Sequence, residues 1–340
     1  MRVRGPIPTL IAIALAVGAC GGSAVPADDP SAGVPPPADT GSGPTGVLLW
    51  LHDGARTWPP HLWALPLDGG ETARVDLPIV EDAIDWDWAP DLSRIVWLED
   101  IQDGVPAARL VMGDPDGSSP TVIGELRNRD DYRGRAWSHD ASRFAYAAYT
   151  DAGSTLTVVD AASGTSTEIE SWADPVPVDV DWAPDGSGLV VGVAGDGAKA
   201  GVFTFAADGS DDRRLSERGA WRVRWSPDGS AIAFESSDHP GPTGIYLVAA
   251  DGSGEHRVSP PDVVEMGPVW SPDGAWIAFA SERDAEGLPV AGEARHQPLI
   301  DAGIYLMRPD GSDVRRLVEP VESGWVETWD WFASWPPGGG

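Results

Sequence analysis

Trp225-Ser226-Pro227-Asp228-Gly229 and Trp270-Ser271-Pro272-Asp273-Gly274 are two copies of one segment, and Trp182-Ala183-Pro184-Asp185-Gly186 is a third. Weaker copies stand at Trp88-Ala89-Pro90-Asp91 and Trp137-Ser138-His139-Asp140, so that the tryptophans advance in steps of 49, 45, 43 and 45 residues. A second element keeps step with the first. Leu247-Val248-Ala249-Ala250-Asp251-Gly252-Ser253 recurs as Phe205-Ala206-Ala207-Asp208-Gly209-Ser210, as Met307-Arg308-Pro309-Asp310-Gly311-Ser312 and as Asp116-Gly117-Ser118. Looser versions at Leu67-Asp68-Gly69 and Ala162-Ser163-Gly164 bring the count of repeats to six.

Each period reads as four short strands. In one of them Trp221 to Trp225 is the first strand, Pro-Asp-Gly a turn, Ala231 to Glu235 the second, Gly244 to Val248 the third, and His256-Arg257-Val258 the fourth after an Asp251-Gly252 hairpin turn. Hairpin turns need positive φ, which glycine supplies without steric cost. A period of 43 to 49 residues holding four strands is that of a propeller blade.

The Trp-Ser-Pro-Asp-Gly turn, the Ile232-Ala233-Phe234 and Ile277-Ala278-Phe279 strands and the Ile245-Tyr246-Leu247 and Ile304-Tyr305-Leu306 strands closely resemble the TolB-type, WD40-like β-propeller repeat. The resemblance covers 47–335 and implies an all-β, six-bladed propeller of four-stranded antiparallel blades. It implies no particular function, because one architecture hosts many. The ends suggest how such a ring closes. Val47-Leu48-Leu49-Trp50 matches a second strand, whereas Trp325 to Trp331 matches a first strand with no blade after it. The C-terminal strand is therefore expected to join the N-terminal blade, covering edges that would otherwise invite aggregation.

Residues 1–20 read as an export signal. Arg2 and Arg4 precede the apolar run Ile7 to Val17, which is too short to span a bilayer, and the run ends in Val17-Gly18-Ala19-Cys20. Small residues directly before a cysteine resemble the lipobox of bacterial lipoproteins, which implies a diacylglyceryl thioether on Cys20. Cys20 is the only cysteine, so no intrachain disulfide is available even in an oxidising compartment. Residues 21–46 are Gly, Ser, Pro, Ala, Asp and Thr with almost nothing large and apolar, a composition that cannot bury a core and makes a flexible tether. Residues 336–340 are a short flexible tail.

The whole chain has 340 residues, 42% hydrophobic, with 17 Trp, 41 Gly and 32 Pro. That is enough apolar surface for a packed interior. A formal charge of −30 repels nucleic acid and anionic lipid at long range, leaving the lipid anchor as the route to the membrane. The expected partners are an envelope protein, peptide or glycan, and the chain is expected to be monomeric.

No enzyme signature fits. A Gly-x-Ser-x-Gly elbow is absent, the Ser-Pro-Asp-Gly turns put Gly one place early for a sialidase Asp-box, and Asn128 is the only Asn for a lactonase-type calcium site. The six His residues show no metal-ligand spacing. No cofactor is expected beyond a calcium or other cation. Positions one and three before each repeat Trp share a strand face. They hold Asp85 and Asp87, Gly134 and Ala136, Asp179 and Asp181, Arg222 and Arg224, Gly267 and Val269, then Thr328 and Asp330. Ring order would set Asp330 beside Asp85 and Asp87, and Arg222 and Arg224 beside Asp179 and Asp181. The plain account is ion pairs between blades; the sharper one is a cation or amine site formed by Asp85, Asp87 and Asp330 at the channel mouth.

The longest break in the repeat, from Ser281 to Ala302, carries Glu282, Arg283, Asp284, Glu286, Glu293, Arg295 and His296, and long loops of this kind are candidate partner-binding segments. Two functions follow: an envelope scaffold or sensor that binds through one face, or a hydrolase or lyase on an envelope glycan or peptide that uses channel-mouth carboxylates.

Overall fold

The computed structural model describes residues 45–52, 61–67, 71–75, 83–101, 108–127, 132–150, 153–173, 177–195, 199–237, 242–281, 302–318 and 326–332. Cys20, the tether and the 282–300 segment with its seven candidate partner residues lie outside the described residues.

The described residues are strands, turns and short connections. In chain order, β1 (Val47–His52), β2 (His61–Pro66) and β3 (Ala73–Val75) are followed by β4 (Ala83–Trp88), β5 (Ile95–Asp100), β6 (Ala108–Gly113) and β7 (Thr121–Leu126). Next come β8 (Tyr132–Trp137), β9 (Arg143–Thr150), β10 (Gly153–Asp160) and β11 (Ser166–Trp172), then β12 (Pro177–Trp182), β13 (Gly188–Val193), β14 (Gly201–Ala206) and β15 (Arg213–Ser216). The last are β16 (Val223–Trp225), β17 (Ala231–Ser237), β18 (Thr243–Ala249), β19 (His256–Arg257), β20 (Glu265–Trp270), β21 (Ile277–Ser281), β22 (Gly303–Met307), β23 (Arg315–Val318) and β24 (Val326–Phe332). Among the described residues they form six four-stranded antiparallel sheets. Five are consecutive meanders, and the sixth has the order β24-β1-β2-β3. In it β24 pairs with β1 from Val47 opposite Phe332 to His52 opposite Val326.

The turn after each repeat Trp is built by the side chains the motif supplies. Ser226 Oγ donates to Asp228 Oδ1 at 2.7 Å and accepts the Ala231 N–H at 3.0 Å, while Asp228 Oδ1 also accepts the Ser230 N–H at 3.0 Å. Ser138 with Asp140, and Ser271 with Asp273, repeat the arrangement. The last turn residue has φ between 68° and 71° at Gly186, Gly229 and Gly274. In the two weaker copies Leu92 and Ala141 carry the strain of φ 59° and 57°.

The core lies between sheets. One apolar cluster joins Val190 and Val202 to Val223, Ile232, Phe234 and Tyr246, from the β12–β15 sheet to the β16–β19 sheet. Another joins Ala233, Ile245 and Leu247 to Trp270, Ile277, Phe279 and Tyr305 of the next sheet. A third brings Leu48, Trp63 and Leu65, near the start of the chain, against Trp276, Ala278, Ile304 and Leu306 near its end. Period-2 alternation cannot leave a polar face when both faces are covered, which is why β13, β21 and β22 are buried along their whole length. Packing is closest where glycine is required. A Cβ on Gly134 of β8 would stand 2.4 Å from the Asp179 Cα of β12, so two backbones meet there.

Candidate functional site

The first strand of each meander, and β24 in the sixth sheet, is an edge, with backbone groups unpaired on one side. Neighbouring sheets satisfy these groups in both directions. Asp179 Oδ2 accepts the Val223 N–H at 2.9 Å and Asp181 Oδ2 the Trp225 N–H at 2.8 Å, so two carboxylates of β12 serve the edge of β16. Glu235 Oε2 of β17 serves Gly267 N–H of β20 at 3.0 Å. In return the repeat tryptophans donate backwards. Trp137 Nε1 reaches the Asp87 carbonyl at 3.4 Å, Trp182 Nε1 the Ala136 carbonyl at 3.1 Å and Trp270 Nε1 the Arg224 carbonyl at 3.2 Å. The repeat Trp therefore packs between sheets, as its size demands. At Trp137, Trp182 and Trp270 it also closes a hydrogen bond that the sequence does not announce, whereas the buried indole nitrogens of Trp88 and Trp225 make none among the described residues.

Charged side chains complete the junctions. Arg224 Nη1 lies 2.6 Å from Asp179 Oδ2 and 2.6 Å from the Val223 carbonyl, and Asp179 is only 4% exposed. The expected set of Asp179, Asp181, Arg222 and Arg224 thus comes together at the junction of β12 and β16, with one refinement: Arg222 exerts its charge on Glu235, while Arg224 takes Asp179. Desolvation raises the Asp181 carboxyl above its ordinary value, against the opposing pull of Arg224 and the Trp225 N–H. Burial likewise pushes Glu235 up to about 7, although Arg222 and the Gly267 N–H favour its charged form.

Asp87 lies 3.4 Å from Arg135 Nε, so an arginine of the next sheet stands at the carboxylate proposed to hold a cation. The side chains of Asp85 and Asp330 lie outside the described residues; their backbones pair with Leu98 and Leu49. Among the described residues no group of three or more His, Cys, Asp or Glu is placed to hold a metal ion. Sequence reasoning missed Arg135, because counting one and three back from Trp137 passes over the position two before it, which lies on the other strand face. It also missed Glu235, which lies on a second strand where no pattern of inner-strand charges would look.

The Trp-led turns gather around a cavity of about 370 Å³, within the range of small-ligand sites. Its wall includes Trp88, Trp137, Trp225 and Trp270, the turn prolines Pro90, Pro184, Pro227 and Pro272, and the polar groups Asp87, Arg135, His139, Asp181 and Arg224.

Three comparisons bear on this architecture. The crystal structure of TolB from Acinetobacter baumannii is similar with a TM-score of 0.58 and 16% identity, over 85% of this chain and 67% of that one. A TolB-like protein from Agrobacterium tumefaciens gives 0.52 and 20%, over 85% and 99%. Oligogalacturonate lyase from Vibrio parahaemolyticus gives 0.50 and 16%, over 76% and 71%. At these identities the likeness is one of fold. No curated protein matches the sequence. The family model for the TolB beta propeller domain matches residues 91–294, more than half of the chain, and the chain therefore belongs to the TolB beta propeller domain family.

Proposed function

We propose that the protein is an envelope lipoprotein, anchored through Cys20 and the 21–46 tether, whose propeller binds a partner or ligand in the cavity encircled by the Trp-led turns. The observation that carries this reading is the state of the cavity's charged groups. Asp87 is engaged by Arg135, Arg224 by Asp179, and one oxygen of Asp181 by the Trp225 N–H. Groups held this way shape and polarise a cup of indole and prolyl rings; they are not a free acid and a free base. The rival reading, a hydrolase or lyase, draws its support from Asp181, a carboxyl raised by burial inside a concave site as a general acid would be.

A photoreactive residue at Leu92 on the cavity wall, in intact cells, is expected to capture an envelope protein, peptide or glycan. The same residue at Asp262, in the β19–β20 connection at the other end of the strands, is expected to capture none. Equal capture at both positions would remove the cavity from the proposal, and turnover of a captured glycan or peptide by the purified protein would favour the enzyme. Fractionating the same cells tests the anchor: Cys20→Ser is expected to move the protein from the membrane to the soluble fraction, and retention at the membrane would exclude acylation there.

The six sheets are taken as the blades of one closed ring over 47–335. Support comes from the β24–β1 pairing and from the cavity wall, where Leu49 of β1 stands with Asp87 and Trp88 of β4. Leu51 and Glu327 are register partners, and antiparallel partners lie within disulfide reach. With Cys20 replaced by Ser, the pair Leu51→Cys and Glu327→Cys is expected to oxidise within one chain, seen as faster migration on a non-reducing gel. Disulfide-linked dimers would instead indicate an open arc paired between chains.

A further inference from the structure

We propose that His139 and Asp181 together hold the ammonium group of an amine-bearing ligand in the cavity. The inference rests on the reading of that cavity as the ligand site, and it starts from one departure in the repeat. The third residue of the Trp-led turn is Pro90, Pro184, Pro227 and Pro272 in four sheets, and all four line the cavity. In the β8–β11 sheet the position is His139, also on the wall and exposed. A prolyl ring offers a ligand no side-chain hydrogen bond, whereas an imidazole offers a donor and an acceptor.

The chemistry of the ligand follows from what the other polar groups leave over. Asp87 is matched by Arg135 and Arg224 by Asp179. Asp181 has one oxygen on the Trp225 N–H, and around it stand Arg224 and Asp179, already engaged with each other, and the His139 ring. Once the two ion pairs cancel, Asp181 leaves the cavity one negative charge, in a chain whose formal charge is −30. A cation complements that field. A calcium ion would need six to eight oxygen ligands, which one carboxylate and an imidazole do not provide. An ammonium group needs only acceptors for three N–H bonds. The second Asp181 oxygen and the acceptor nitrogen of the His139 ring supply two, and Trp137 and Trp225 line the same wall, aromatic residues of the kind that attract cations.

Calorimetric titration of the purified propeller with glucosamine and with cadaverine tests this, with N-acetylglucosamine as the neutral counterpart and calcium chloride as the inorganic cation. At least one amine is expected to bind and N-acetylglucosamine is not; whichever amine binds more tightly tells a sugar carrier from an aliphatic one. His139→Pro, which restores the residue of the other turns, and Asp181→Asn, which keeps an acceptor for Trp225, are each expected to weaken that binding about tenfold or more with the melting temperature of the His139→Pro variant unchanged. Amine binding indifferent to both substitutions would overturn the inference and leave the cavity reading intact. So would calcium binding without amine binding. Failure of every probe to bind, with cavity crosslinks still formed in cells, would also overturn it and leave the cavity to another ligand chemistry.

Discussion

Arg224→Met is expected to destabilise the protein by about 3–5 kcal/mol, the cost of stranding a buried charge by removing its partner. Asp179 has a side chain 6% exposed, and its Oδ2 is held by Arg224 at 2.6 Å and by the Val223 N–H at 2.9 Å. Methionine fills much of the arginine stem's volume, so the loss is chiefly electrostatic. It should be visible as a lower urea midpoint with an unchanged slope. Adding Asp179→Asn removes the stranded charge while keeping an acceptor for Val223, and the double variant is expected to recover much of the loss. A single variant within about 0.5 kcal/mol of the wild type would mean that the pair contributes nothing to the junction between β12 and β16. A double variant no better than the single would locate the loss in packing and not in charge.

The repeat made the fold legible. Two motifs, one led by Trp and one by Asp-Gly, stay in phase over most of the chain, and each fixes a turn through its own side chains. The strands between them could then be placed within a residue or two: β17 and β18 extend slightly beyond the expected spans, and β16 is shorter. That Arg222 and Arg224 would stand beside Asp179 and Asp181 was legible for the same reason, because first strands of adjacent repeats face each other; that Asp179, three before its Trp, takes Arg224, one before its own, was not. What a periodic pattern conceals is chemistry that is not periodic. Glu235 sits on a second strand, after the apolar run Ala231 to Phe234, and its partners lie elsewhere in the chain, Arg222 just before β16 and Gly267 in β20. Arg135 stands two before Trp137, on the face that the count of first and third positions passes over. His139 was visible as a departure from proline, but its meaning required knowing that the turns converge on one cavity. The indole hydrogen bonds to Asp87, Ala136 and Arg224 carbonyls were hidden because a propensity for burial says nothing about which backbone edge lies within reach.

Glu235→Gln is expected to stabilise the protein at pH 8 by up to about 3 kcal/mol and to leave it unchanged near pH 4.5. Glu235 is 2% exposed, and burial lifts its carboxyl from 4.5 to about 7 against the favourable charge of Arg222 and the Gly267 N–H. Because the folded value lies above the unfolded one, the folded protein holds a proton between pH 4.5 and 7 that the unfolded chain has released. The contribution is fully present below 4.5 and lost as pH rises through 7. A displacement of that size corresponds to about 3 kcal/mol at roughly 1.36 kcal/mol per unit. Glutamine fixes the neutral state and its carbonyl can still accept from Gly267, so the variant should lack this slope. Arg222 loses a counter-charge in the exchange, which makes 3 kcal/mol an upper figure. Carboxylates in the turns act in the opposite sense. The hydroxyls of Ser138 and Ser142 hold Asp140 down at about 2, so its contribution is lost only as pH falls from about 4 towards 2. Both proteins share that acid limb, and subtracting their stability curves isolates Glu235. A difference that is flat from pH 4.5 to 8 would show that Glu235 stays ionised in the folded protein, and a difference that grows with pH would place a proton at the junction of β17 and β20 near neutrality.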